Sequence, residues 1–376
     1  MSEKAQSEVV VAGHLCLDLI PGLRDTEFSF QPGQLSEVDA VVSAPGGGVA
    51  NVGISLHKLG VRATLLGTVG NDALGSLLKT LFATLDPELS AHLLTDESAA
   101  TSYTIVLSPP GRDRMFLHHS GCNDTFDLAR IDPEQFRQAH FFYFGYPPLM
   151  RSVYEDGGAA LAELFAGLKE NGVGPVLDLA LPDPEGASGR VDWVGFLRNV
   201  LPHTTLFTPS FEEICFMLGV SAEASDQGDL LERASDLGGR LLRLGVPLVV
   251  IKLGERGLYL RTGNTPPPNL SEDWLERELW TPAFKVEVAT TTGAGDAAVA
   301  GFLTALLNDA SPAEALRFAT AVGAKSVRAA DATSGVSHQD EVRSTLEAWT
   351  VVPHSLPKWH YSEEKRVYIS PNDSLF

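Results

Sequence analysis

Short apolar runs alternate along this chain with longer stretches whose apolar residues recur every three or four positions. Val9-Val10-Val11-Ala12-Gly13 is β-branched and ends in glycine, the pattern of a buried parallel strand. Pro45-Gly46-Gly47-Gly48 leads into apolar spacing through Leu59, which predicts a glycine loop opening a helix that Gly60 stops. Arg62 to Gly67 reads as the next strand and Ala73 to Thr84 as the next helix. Farther on, strand-like segments at 141–144, 175–179, 205–208 and 248–253 alternate with helix-like segments at 157–169, 211–218 and 230–244. Two helices, Ala294 to Leu307 and Pro312 to about Arg328, close the core. This alternation predicts an α/β fold with a mostly parallel sheet covered by helices on both faces.

Four regions break the pattern. Residues 101–119 read as a hairpin, with Pro109-Pro110-Gly111-Arg112-Asp113 at its turn. Residues 22–44 show little helical periodicity and suit small strands outside the main sheet. Residues 262–283, rich in proline, polar residues and tryptophan, read as a surface excursion. From Val351 to Phe376 there is no clear period, so this end either packs on the surface or is flexible.

The length of 376 residues suits one large α/β domain with a small appendage, or two modest domains. A hydrophobic share of 44% fills a core, and a charged share of 20% argues against disorder. The formal net charge of −20 disfavours nucleic acid and anionic lipid as partners. It also repels polyphosphates, so any such ligand needs local devices: backbone N–H groups, helix N-termini, metal ions or a few cations. Three widely spaced cysteines, Cys16, Cys122 and Cys215, suggest neither a disulfide framework nor a zinc site. The apolar run from Val9 to Ile20 is interrupted by Gly13, His14 and Asp18, so it reads as neither a signal peptide nor a membrane span. A cytoplasmic location is the expectation.

The most informative segment is Thr290-Thr291-Thr292-Gly293-Ala294-Gly295-Asp296, which opens an apolar helix. The first N–H groups of a helix lack intrahelical partners, so Gly293, Ala294 and Gly295 are able to present theirs to an anion. Asp296 then falls in the first turn. A carboxylate beside an anion site could accept the proton of an attacking hydroxyl as it meets phosphorus. The bland alternative is an aspartate that only stabilises the helix dipole, beside glycines needed for packing.

That segment is similar to the C-terminal signature Asp-Thr-x-Gly-Ala-Gly-Asp of the ribokinase-like (PfkB) family of carbohydrate kinases. The resemblance runs in order from about Val9 to Val336. It implies a three-layer ribokinase-like fold over residues 1–347, with a small β lid at about 15–45 and 101–119, and a C-terminal extension at 348–376. It also implies ATP and Mg2+ as cofactors, Asp296 as catalytic base and Gly293 to Gly295 as the anion hole.

Other positions follow the same resemblance. Gly46-Gly47-Gly48-Val49-Ala50-Asn51 is similar to the family's Gly-Gly-x-x-x-Asn motif and implies sugar contacts from Gly46, Gly47 and Asn51. No Lys-Ser/Thr follows, so this is not a Walker-type loop. Asp18 takes the place of a substrate-binding aspartate, and Asn123 that of a substrate contact. Asp72 reads as a helix cap. Arg112 and Arg114 sit where they could reach an acidic substrate, or are simply solvated. His118 and His119 are neighbours on a strand and face opposite sides, so they are poor joint metal ligands. Ser210 to Glu213 resembles Pro-Asn-x-x-Glu, with Ser210 at the nucleotide and Glu213 organising magnesium through water. Lys252, Gly254, Gly257 and Thr292 are the expected nucleotide contacts. Asp178, ending a strand at the sheet's carboxyl edge, is a second metal candidate.

Thr290 stands where many relatives carry aspartate, which leaves monovalent-cation dependence open. The acceptor reads as a sugar or sugar acid, because Asp18, Asn51 and Asn123 suit hydroxyls. A nucleoside acceptor on the same fold, and a catalytically silent binding protein, are the alternatives. A small sugar-like molecule is the expected partner, with a homodimer possible.

Overall fold

The computed structural model describes residues 7–23, 32–33, 35–109, 115–265, 267, 270–349, 354, 356 and 358–374. Arg112 and Arg114 lie outside the described residues.

Strand β1 (Val9–Gly13) runs into the centre of the molecule and turns at His14. Strands β2 (Cys16–Gly22) and β3 (Asp39–Gly46) follow, then helix α1 (Gly47–Leu59), which Gly60 ends in the left-handed conformation. After β4 (Ala63–Leu66) and β5 (Thr68–Gly70) comes α2 (Ala73–Leu85), capped by the Asp72 carboxylate on the Gly75 N–H. A short α3 (Pro87–Ser90) and β6 (Leu94–Asp96) lead to β7 (Tyr103–Leu107) and β8 (Met115–His119). Next come β9 (Phe141–Gly145), α4 (Arg151–Tyr154), α5 (Ala159–Glu170), β10 (Gly174–Asp178) and α6 (Trp193–Val200). They precede β11 (Leu206–Phe207), α7 (Phe211–Met217), α8 (Gln227–Arg243), β12 (Leu248–Lys252) and β13 (Leu258–Thr262). The chain ends with β14 (Glu278–Thr281), α9 (Ala294–Leu307), α10 (Pro312–Ser326), α11 (Gln339–Ala348), β15 (His360–Ser362) and β16 (Val367–Ile369).

The main sheet has the order β15-β16-β14-β13-β12-β11-β10-β9-β1-β4. From β4 to β12 every pairing is parallel, and from β12 to β15 every pairing is antiparallel. Side chains alternate between two cores. Val9 and Val11 face the core shared with α1, α2, α9 and α10, while Val10 and Ala12 face the one shared with α5 to α8. Both faces of the central strands are therefore dry, which is why they read as unbroken apolar runs.

The expected lid is a separate four-stranded sheet, β3-β2-β7-β8, with β7 and β8 paired as a hairpin. Two sequence expectations are corrected. Residues 262–283 are not a surface excursion: β13 and β14 extend the main sheet, and Trp274 and Trp280 are fully buried. Their polar composition hid a strand whose alternate residues are covered by the tail. That tail, aperiodic in sequence, supplies β15 and β16 to the same sheet, with Tyr368 packed 4.8 Å from Trp280. Both strands have three residues, too few to display a period.

Candidate active site

In open parallel sheets, ligands collect beyond the carboxyl ends of the strands. Here β1 ends at Gly13, followed by His14, and β9 at Gly145, followed by Tyr146. Strand β10 ends at Asp178 and β12 at Lys252, and Ser210 bridges to Lys252 just beyond β11. Helix α9 begins over the same corner.

Gly293 caps α9 with φ +70°, a left-handed conformation, and Ala332 packs where its Cβ would be. The α9 N-terminus carries no side-chain cap, and its Ala294 N–H donates to Thr291 O at 3.3 Å. Asp296 lies in this first turn, 5% exposed. Tyr146 donates its hydroxyl to Asp296 Oδ1 at 2.6 Å, and Asn51 donates from Nδ2 to Oδ2 at 2.9 Å. Burial, joined by the nearby Asp178 carboxylate, pushes the Asp296 carboxyl up to about 7.

Lys252 is nearly buried and donates from Nζ to Asp178 Oδ1 at 2.6 Å. Burial works against its charge, but Asp178, Glu213 and Asp296 outweigh it and hold the ammonium well above its ordinary value. A Cβ at Gly295 would lie 3.7 Å from Lys252 Nζ, so the ammonium stands over the first turn of α9. An anion at that corner meets both.

Glu213 is held by its backbone neighbours: Ser210 N–H donates to Oε2 at 2.6 Å and Ser210 Oγ accepts from Glu213 N at 3.2 Å. This capping box is the function of Ser210 that the geometry displays. Burial raises the Glu213 carboxyl, against the pull of Lys252. Among the described residues no three His, Cys, Asp or Glu side chains converge on a common point. Magnesium that keeps most of its waters needs no such cage. Asp178, Glu213 and Asp296 each act on the Lys252 ammonium, so negative charge predominates around it among the described residues. Asp178 is held by three donors. Its Oδ1 accepts from Lys252 and from Leu179 N–H, and its Oδ2 from Tyr143.

On the lid side, Asp18 sits on β2 against β3, where a Cβ at Gly46 would collide with its carboxylate. Burial pushes the Asp18 carboxyl up to about 6. Gly47, with φ +84°, lies against the His14 ring. Asn123 departs from expectation. It is fully buried, accepts from Leu15 N–H at 3.2 Å and donates to Leu15 O at 2.9 Å. Both ends of its amide brace the β1–β2 turn.

The nucleotide-side turn divides. Gly254 is exposed beside a cavity of about 270 Å³ that Phe211 and Leu253 also line. At Gly257 a Cβ would collide with Thr281 O, so this glycine lets the turn approach β14. Thr292 receives a contact from Thr290, Oγ1 to Oγ1, at 3.0 Å. The larger cavity, about 430 Å³, lies at the opposite end of the sheet, against Arg243, Arg261 and Glu278. It shares no residue with this cluster.

Sequence reading missed Tyr146, Tyr143 and His14. A usable signal existed: Tyr146 and Pro147 follow a predicted strand at the sheet edge where ligands gather.

Among the described residues no helix is long and apolar enough to cross a membrane. The model of the pfkB family carbohydrate kinase matches residues 6–339. The chain is 27% identical over 352 residues to the aminoimidazole riboside kinase of Salmonella typhimurium, covering 92% of this chain and 97% of that one. It is 26% identical over 358 residues to fructokinase-1 of Oryza sativa subsp. japonica, covering 91% and 99%. The fold superposes on Arabidopsis thaliana ribokinase complexed with ribose and ATP at a TM-score of 0.72 and 20% identity, covering 91% and 99%. The ordered motifs, the sheet with its lid and the family match agree: this chain belongs to the pfkB family of carbohydrate kinases.

Proposed function

We propose that the chain transfers the γ-phosphoryl group of ATP to a hydroxyl of a sugar or sugar acid, with Asp296 as general base. One observation carries this reading. An uncapped helix N-terminus, the Lys252 ammonium and a carboxylate that titrates near 7 meet at one corner. The acceptor oxygen bonds to the γ-phosphorus, the bond to the β–γ bridging oxygen breaks, and ADP leaves. The hydroxyl proton passes to Asp296. The amides of Gly293 to Gly295 and Lys252 hold charge on the transferring group. Glu213 would hold magnesium through water, and charge neutralisation on the phosphates is what that metal supplies when bound. Asp18 and Asn51 orient the acceptor, and the lid over it excludes water. The open cavity beside Gly254 supports a nucleotide on that side.

A riboside acceptor is the second reading, supported by one feature. The partly exposed Tyr146 ring, stacked on the buried His14 at 6.0 Å, places an aromatic side chain beside the base, a feature suited to a heterocycle. A panel of D-fructose, D-ribose, sugar acids, nucleosides and aminoimidazole riboside, assayed for ADP release with ATP and magnesium, separates the two. Asp296→Asn should bind ATP with near-native affinity by calorimetry and lose turnover by about a thousandfold or more. Equal turnover in that variant removes Asp296 as the base.

A further inference from the structure

Tyr146 occupies a position that the chain maintains against its own backbone preference. Its φ is +65°, in the left-handed region that a bulky residue rarely adopts. Such conformations persist where surrounding structure enforces them, and they gather at functional sites. Here three elements enforce it. Its N–H donates to Asp178 O at 3.2 Å, at the end of β10. Its ring stacks on His14 at 6.0 Å with a 29° interplanar angle, and Gly48 at the start of α1 approaches the other edge. What this bracing delivers is one phenol hydroxyl, 2.6 Å from Asp296 Oδ1.

We infer that Tyr146 is a positioning residue for Asp296, its hydroxyl fixing the carboxylate orientation in which that group meets the acceptor. This rests on the reading of Asp296 as the base. Asn51 holds the second oxygen, so the carboxylate is clamped at both ends and cannot rotate about its Cβ–Cγ bond without breaking a bond. Each oxygen keeps one further lone pair for the incoming hydroxyl. The phenol also favours the ionised carboxylate, opposing burial and Asp178. Lys252 from β12 and Tyr143 from β9 also face Asp296, and Glu213 from α7 acts on the Tyr146 hydroxyl. On the far side of the Tyr146 ring, burial and then His118 hold His14 well below its usual titration range, so it faces the ring as a neutral imidazole.

The test reads the carboxyl directly. The full chain is labelled with [4-13C]aspartate, and the Asp296 resonance is identified by its loss in Asp296→Asn. Tyr146→Phe should raise the titration midpoint of that resonance by about one unit, the scale of one lost hydrogen bond to a charged group. Placing 3,5-difluorotyrosine at 146 keeps the ring, strengthens the donor and should move the midpoint down, so the idea stays testable if the phenylalanine variant folds poorly. A midpoint indifferent to both changes overturns the inference. In turnover, Tyr146→Phe should lower kcat about tenfold at pH 6 and less than about twofold at pH 9, with KM little changed. A lower KM with unchanged kcat would mean that the ring merely obstructs the acceptor, and would also overturn it. Failure of the base assignment shows separately, as turnover surviving in Asp296→Asn while the NMR midpoints still shift.

Discussion

Lys252 Nζ lies 2.6 Å from Asp178 Oδ1, the lysine side chain 11% exposed and the aspartate fully buried. A lone ammonium at a strand end is ordinarily solvated. Here it stands among Asp178, Glu213 and Asp296 and borders the first turn of α9. Losing one member of a buried ion pair leaves the other charge uncompensated, which costs about 3–5 kcal/mol.

Lys252→Met should therefore damage both stability and nucleotide use. The urea midpoint should fall, and the KM for ATP should rise by about tenfold or more. A variant with native stability and a native KM for ATP would show that the ammonium serves neither role.

The acidity of the site predicts a pH profile. In its proposed role Asp296 must be ionised; burial pushes its carboxyl up to about 7 and that of Asp18 up to about 6. Lowering the pH protonates each in turn, so kcat/KM for the acceptor should fall with unit slope from about 7 to about 6 and more steeply below. In Asp18→Asn the steeper limb should vanish and the limb near 7 remain. A profile flat between pH 5 and 8 contradicts both assignments.

Asp18 also predicts a division between the two substrates. It lies on the lid sheet, on β2 paired with β3. Asp18→Ala should raise the KM for the acceptor by about a hundredfold, the cost of losing charge-assisted bonds to hydroxyls, and change that for ATP by less than about threefold. The reverse pattern would mean that the acceptor and nucleotide sides have been exchanged.

The tail carries a structural prediction. Arg277 donates from Nε to both Asp373 oxygens, at 3.2 and 3.0 Å, and both residues are buried. Asp373 also accepts from Glu278 N–H at 2.7 Å, tying the end of the chain to β14. Asp373→Ala should cost about 3–5 kcal/mol in denaturant unfolding, because a guanidinium is left buried without its carboxylate. Loss of less than about 1 kcal/mol would mean that water reaches Arg277.

Much of the fold was legible because buried parallel strands and their covering helices carry their periods openly. Val9–Gly13 and Ala294–Leu307 emerge with the bounds that their apolar spacing suggests. The antiparallel edge was not legible. Trp280 is buried by Tyr368, eighty-eight positions away, and no local pattern announces that pairing.

The site divides in the same way. The glycines before Asp296 and the carboxylate in the first turn were readable, because a helix N-terminus and its neighbours are consecutive in the chain. Asn51 reaching Asp296 across 245 positions was not, nor was Tyr146 reaching it across 150. The family of this chain, its alternating architecture and the residue types at its phosphate corner follow from sequence, since they depend on short-range spacing. Which donors hold Asp296, which carboxylate Lys252 neutralises and what Asn123 braces depend on distant strand ends being brought together. Only the assembled sheet does that.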